Sequence, residues 1–75
     1  METVARVVIA SPPDRNSLVA EVFFGDIQWA ELREEGGQVL VEFYPRPDGK
    51  PCLAEFDVAI QALEEANARL VSALG

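Results

Sequence analysis

The chain has 75 residues, six basic and thirteen acidic side chains, no histidine, one cysteine and a formal net charge of −7. A domain this short buries only ~60% of the surface its unfolded chain exposes, and such domains usually gain stability from disulfides, a metal or a partner. A single cysteine excludes an internal disulfide, and one thiol without an imidazole argues against a structural zinc site, so association with another chain is the expected route.

Thr3 to Ala10 is rich in Val and Ile, lacks turn formers and predicts a first strand. Ser11-Pro12-Pro13-Asp14-Arg15-Asn16 reads as a loop, and Leu18 to Phe24 as a second strand. Gly25-Asp26 then separates two apolar runs, as in a type II′ hairpin with glycine first. Ile27 to Glu34 is the expected third strand, Gly36-Gly37 a second tight turn, and Gln38 to Tyr44 the fourth strand. Tyr44 to Pro51 holds three prolines in eight residues and forbids both a helix interior and a central strand. Within it, Pro47-Asp48-Gly49 fits positions i+1 to i+3 of a type I turn. A helix is expected from Asp57, as N-cap, to Leu74, with Ile60, Leu63, Leu70 and Leu74 on one apolar stripe, Asn67 inside it, and Ala59, Ala66 and Ala73 flanking it so that the helix can lie close to the sheet. Gln61, Glu64, Glu65, Arg69 and Ser72 form its polar face. The fold class is therefore α+β: one domain over residues 1–75, a mostly antiparallel four-stranded meander with a C-terminal helix on one face, in the order β-β-β-β-α.

Two-residue turns at both glycine positions set Val22 opposite Trp29, Leu32 opposite Val41, Ala30 opposite Phe43 and Trp29 opposite Tyr44. Alternation then puts Val19, Phe23, Ala30, Leu32, Val39, Val41 and Phe43 on one face. Leu18, Ala20, Val22, Phe24, Ile27, Trp29, Leu40 and Tyr44 fall on the other, with Glu31, Arg33 and Glu42 at one end. Both faces come out apolar, although one helix covers only one, so the helix-free face is expected to meet a second copy. A slip of one residue would exchange the faces.

The chemistry inventory is short. Without histidine there is no usual general base near neutral pH, and no Ser/His/Asp or Cys/His nucleophile can be assembled. No phosphate-binding glycine loop is present. Neither a cofactor, a metal nor an enzymatic activity is expected. Glu31 and Glu42 are expected to face each other, either as an acid/base pair or as solvated carboxylates bridged by Arg33 or Arg6. Cys52 reads as a small, partly buried hydrophobe rather than a nucleophile. Trp29 and Tyr44, with Arg46, are candidates for a shallow binding site or an interface anchor. Asp14-Arg15 and Arg46-Pro47-Asp48 place Pro, Asp and Arg together in two loops. Either Arg15 and Arg46 recognise a charged ligand, or the aspartates bond their own turns and the arginines form local salt bridges.

Ser11-Pro12-Pro13-Asp14-Arg15, Leu18-Val19-Ala20-Glu21, Glu42-Phe43-Tyr44-Pro45-Arg46-Pro47-Asp48-Gly49 and Phe56-Asp57 together resemble a group of small uncharacterised bacterial α+β proteins. The resemblance spans most of the chain. It implies a link with mobile elements such as gene cassettes or toxin–immunity loci, and it carries no activity or residue role with it.

The acidic balance opposes nucleic acid and anionic membranes. No segment approaches the ~20 apolar residues of a membrane span, and the N-terminus does not read as a signal peptide, so a cytoplasmic setting is expected. The leading functional expectation is a non-enzymatic interaction domain that forms a homodimer through its helix-free face. The alternatives are an acidic immunity or inhibitor protein steered to a basic partner, and a small-ligand binder at a dimer seam near Trp29, Tyr44 and Arg46.

Overall fold

A computed structural model describes residues 4–14 and 16–75. Among these, four strands, β1 (Ala5–Ala10), β2 (Val19–Phe24), β3 (Ile27–Glu35) and β4 (Gln38–Phe43), form an antiparallel sheet in the order β1-β2-β3-β4. One helix, α1 (Phe56–Leu74), packs on this sheet. The α+β meander with a C-terminal helix is thus as expected. Of the first strand, Thr3 lies outside the described residues.

Both turns follow from their glycines. Gly25 has φ 60° and Asp26 a negative φ, the pattern of a II′ hairpin. Gly36 and Gly37 have φ 62° and 82°, the I′ pattern, which side chains with a Cβ rarely adopt. The helix begins one residue before the expected cap. Glu55 is the N-cap, extended at ψ 141° and making no side-chain cap bond, and its carbonyl accepts the Ala59 N–H at 3.0 Å. Asp57 sits in the first turn instead, where its charge suits the positive end of the helix dipole. Gly75 closes the helix with φ 83°, its N–H bonding the Ser72 carbonyl at 3.3 Å.

The β3–β4 register is as expected, with Leu32 opposite Val41 and Ala30 opposite Phe43. The β2–β3 register is not. Phe24 pairs Ile27 and Phe23 pairs Gln28, but Val22 pairs Ala30, so Trp29 is an extra residue in a β-bulge. The bulge corrects the expected pairing of Val22 with Trp29 and rearranges both faces. The helix side carries Val7, Ala20, Val22, Ala30 and Leu32, which enclose a core with Ala62, Ala66 and Leu70 of the helix. The other side carries Arg6, Val8, Ala10, Val19, Glu21, Phe23, Gln28, Glu31, Arg33, Leu40 and Glu42, a mixed face with buried Val19 at one end and its charges running across β2, β3 and β4. Two apolar faces therefore reduce to one, with the cleaner alternation of an antiparallel sheet.

The helix seats its small residues. Ala62, Ala66 and Leu70 are buried, whereas Ile60 and Leu74 are 40% and 37% exposed. This corrects the expected stripe. Ala66, with no accessible surface, brings the backbone of the helix close to the sheet, and the larger residues end up on its flank. Asn67 is exposed. The helix lies over β1, β2 and the near side of β3. On its other flank Arg69 donates from Nη1 to the Val7 carbonyl of β1 at 2.7 Å. β4 is left beyond the helix, and all six of its residues are exposed.

Candidate functional site

Three features compete as a site. The first is a polar cluster on the helix-free face. Glu21, Glu31 and Glu42 lie in one row across β2, β3 and β4. Like charges placed directly opposite are unfavourable on a sheet. Arg33 offsets this: its Nη1 donates to Glu31 at 3.1 Å and to Glu42 at 2.8 Å, while its Nε donates to Glu35 at 2.8 Å. The hydrogen bonds to Glu35 and then Glu42 raise the guanidinium's pKa still further above its ordinary value. The Tyr44 hydroxyl adds a long bond to Glu31 at 3.4 Å. Glu31 is 6% exposed and so is a buried charge held by its partners. The facing glutamates are legible in the sequence, and Arg33 bridges them. Arg6 stands instead over the Phe23 ring at 4.8 Å from its centroid. Among the described residues no group of three or more Cys, Asp or Glu side chains is gathered as metal ligands.

The second feature is the pair of loops that bear Asp and Arg. The antiparallel order puts them at opposite ends of the sheet, because residues 11–18 join the ends of β1 and β2 near Glu35, while residues 44–55 leave the far end of β4. Six paired residues, ~20 Å of strand, separate the two ends, so they do not form one pocket. Arg15 lies outside the described residues. Around its loop, Asp14, Asn16, Leu18, Arg33 and Glu35 border an open depression of about 300 Å³. In the other loop Arg46 forks onto Asp48, with Nε to Oδ1 at 3.1 Å and Nη2 to Oδ2 at 3.0 Å. Asp48 Oδ1 also accepts the Lys50 N–H at 3.0 Å, and the Gly49 N–H reaches the Arg46 carbonyl at 2.9 Å. This is the expected turn. The Arg46 bonds, and after them the Lys50 N–H, hold the Asp48 carboxyl below its ordinary pKa. Cys52 is half-buried.

The third feature is apolar. Trp29 and Tyr44 are backbone neighbours, the Tyr44 N–H bonding the Trp29 carbonyl at 2.8 Å, but their side chains part. Tyr44 turns to Glu31 on the polar face. Trp29 lies on the helix side between Phe24 and Phe43, at centroid distances of 5.1 and 5.3 Å. A joint Trp29–Tyr44–Arg46 site is therefore not formed. The Trp29 row instead opens onto β4, whose helix-side residues Val39, Val41 and Phe43 are 38%, 43% and 54% exposed. On the helix, Ile60 and Val71 are also exposed, at 40% and 53%. Sequence reasoning misses the strip as a unit because it places the helix-free face, not the part of the helix side beyond α1, in the open.

No helix of the described chain is long and apolar enough to cross a membrane. Comparison with protein-family models, with curated proteins and with solved structures returned no match to the chain, so its reading rests on its own residues and geometry.

Proposed function

We propose that this protein is a non-enzymatic interaction domain that associates with a second copy of itself through the open strip beside the helix. The observation that carries the reading is β4, exposed at all six positions while presenting Val39, Val41 and Phe43 on the side where the rest of the sheet is covered. Together with the Trp29 ring against Phe43 these side chains form an exposed apolar row, and exposed apolar patches of this kind often mark interaction surfaces. It contains no charged side chain of β4, and aromatic anchors such as Trp29 and Phe43 are typical of interface centres. The helix-free face is the weaker candidate, because Glu21, Glu31, Arg33 and Glu42 occupy its middle. The inventory of side chains, without histidine, favours binding over catalysis.

Light scattering or equilibrium sedimentation tests the reading. The expected result is a mass of twice the 8.2 kDa chain at high concentration, falling on dilution. Phe43→Glu should hold the protein at the monomer mass without altering its circular dichroism. A wild-type mass of 8.2 kDa at every concentration up to millimolar would remove the proposal.

A further inference from the structure

Resting on that reading, we infer that the second copy docks edge to edge, β4 pairing antiparallel with its own counterpart about a two-fold axis at Val41. The ladder geometry leads there. A two-residue hairpin makes Glu35 and Gln38 a hydrogen-bonded pair, and bonded pairs then alternate along the strands. Gln38, Leu40 and Glu42 thus bond inward to β3, and the Tyr44 N–H bonding the Trp29 carbonyl at 2.8 Å continues the same phase. Val39, Val41 and Phe43 must aim their N–H and C=O groups outward, where the sheet has no further strand among the described residues. These are the same three residues whose side chains stand exposed beside the helix. One strand edge therefore offers both unpaired backbone and apolar side chains.

Protected edges are defended by lysine, proline, bulges or a covering element. The β1 edge has such a cover, since Arg69 of the helix takes the Val7 carbonyl. From Gln38 to Phe43 there is no lysine, proline or bulge. Gly36-Gly37 and Pro45 bound the strand and confine the pairing to β4, and its one charged side chain, Glu42, lies on the polar face.

Self-pairing centred on Val41 matches Val39 with Phe43 of the second copy and Val41 with itself, engaging every outward group of the three residues. The register also suits the charges. On the polar face Leu40 then lies opposite Glu42 of the second copy, so no carboxylate directly faces another. On the other face Val39, Val41 and Phe43 of both copies line one apolar trough between the two helices. Strands of this length, ~20 Å, give an interface near the small end of specific ones, below ~1,200 Å² in total, so the dimer should dissociate on dilution.

Val41→Pro is the direct test. It deletes an outward N–H, leaves the β3–β4 bonds intact and keeps an apolar side chain. Expected is a variant with wild-type circular dichroism whose monomer–dimer midpoint lies at least tenfold higher in concentration. Amide exchange on the wild-type protein gives an independent measure. In the associated state Val39, Val41 and Phe43 amides should exchange as slowly as those of Leu40 and Glu42, and on dilution only the odd-numbered three should lose protection. If the wild-type protein associates but those three amides stay fast, or if Val41→Pro remains folded and equally dimeric, edge pairing is overturned while self-association stands. A wild-type protein that never associates removes both.

Discussion

Arg33 joins three carboxylates. Glu31 is buried next to Glu21 and Glu42, and Arg33 is the cation shared among Glu31, Glu35 and Glu42. Arg33→Ala should lower stability by about 1–3 kcal/mol in urea denaturation, because it removes the salt bridge that Arg33 makes to a buried carboxylate. Glu31→Gln in the same chain should restore most of that loss, since a neutral amide no longer needs the cation; a double variant no better than the single one would show that packing of the arginine stem dominates. Asp48 behaves in the opposite direction with pH. Its carboxyl is held below the ordinary value of 3.8 by Arg46 and the Lys50 N–H. The folded state then binds fewer protons than the unfolded state, so the turn's contribution is complete above pH 3.8 and is lost as pH falls below it toward the lower folded-state pKa. Asp48→Asn should flatten this acid limb. A carboxyl carbon titration of Asp48 midway at 3.8 would show that the Arg46 fork does not persist in solution.

At the level of elements, the helix depends on small side chains against the sheet. Ala66 has no accessible surface and packs in the core with Ala62 and Leu70 over Val7, Ala20 and Val22. Ala66→Leu should therefore cost about 1–3 kcal/mol by overpacking, whereas the same change at exposed Ala68 should be nearly neutral in thermal unfolding. This arrangement explains what is and is not legible in the sequence. Gly25-Asp26, Gly36-Gly37 and Pro47-Asp48-Gly49 announce themselves, because each turn needs those backbones. The order of strands and helix follows from them. The helix phase is legible at Leu63, Leu70 and Ala66, and misread only at Ile60 and Leu74, which end up exposed because the close approach seats alanine against the sheet. The sheet faces are misread for a different reason. Nothing in Gln28-Trp29 marks a bulge, which becomes visible only in the fold, where it accompanies the seat of Trp29 between Phe24 and Phe43. Of the expected binding residues, Trp29 lies in the apolar row and Tyr44 and Arg46 have local partners, whereas Arg15 is outside the described residues.

For the whole molecule, charge and shape make opposing demands on association. Two copies, each at −7, repel one another, and the proposed contact sets apolar side chains on one face against a Glu42 from each copy on the other. Association should therefore tighten as salt rises and the Debye length shortens through ~8 Å at physiological ionic strength. A basic partner recognised by the same acidic surface would show the reverse, weakening with salt. Sedimentation of the pure protein across a salt series separates the two. The bulge at Trp29 has a further consequence, for changes in chain length. It is an insertion already absorbed by the sheet. Removing Trp29 restores an uninterrupted ladder, with Ile27, Ala30 and Leu32 still on the helix side. That shortened chain should fold, giving up only the packing of the indole between Phe24 and Phe43. Removing Leu32 instead reverses the phase of part of β3 against its neighbours, sends charged residues toward the helix and should prevent folding. The chain thus tolerates a one-residue deletion at one point of its longest strand, and that point is set by the register rather than by exposure.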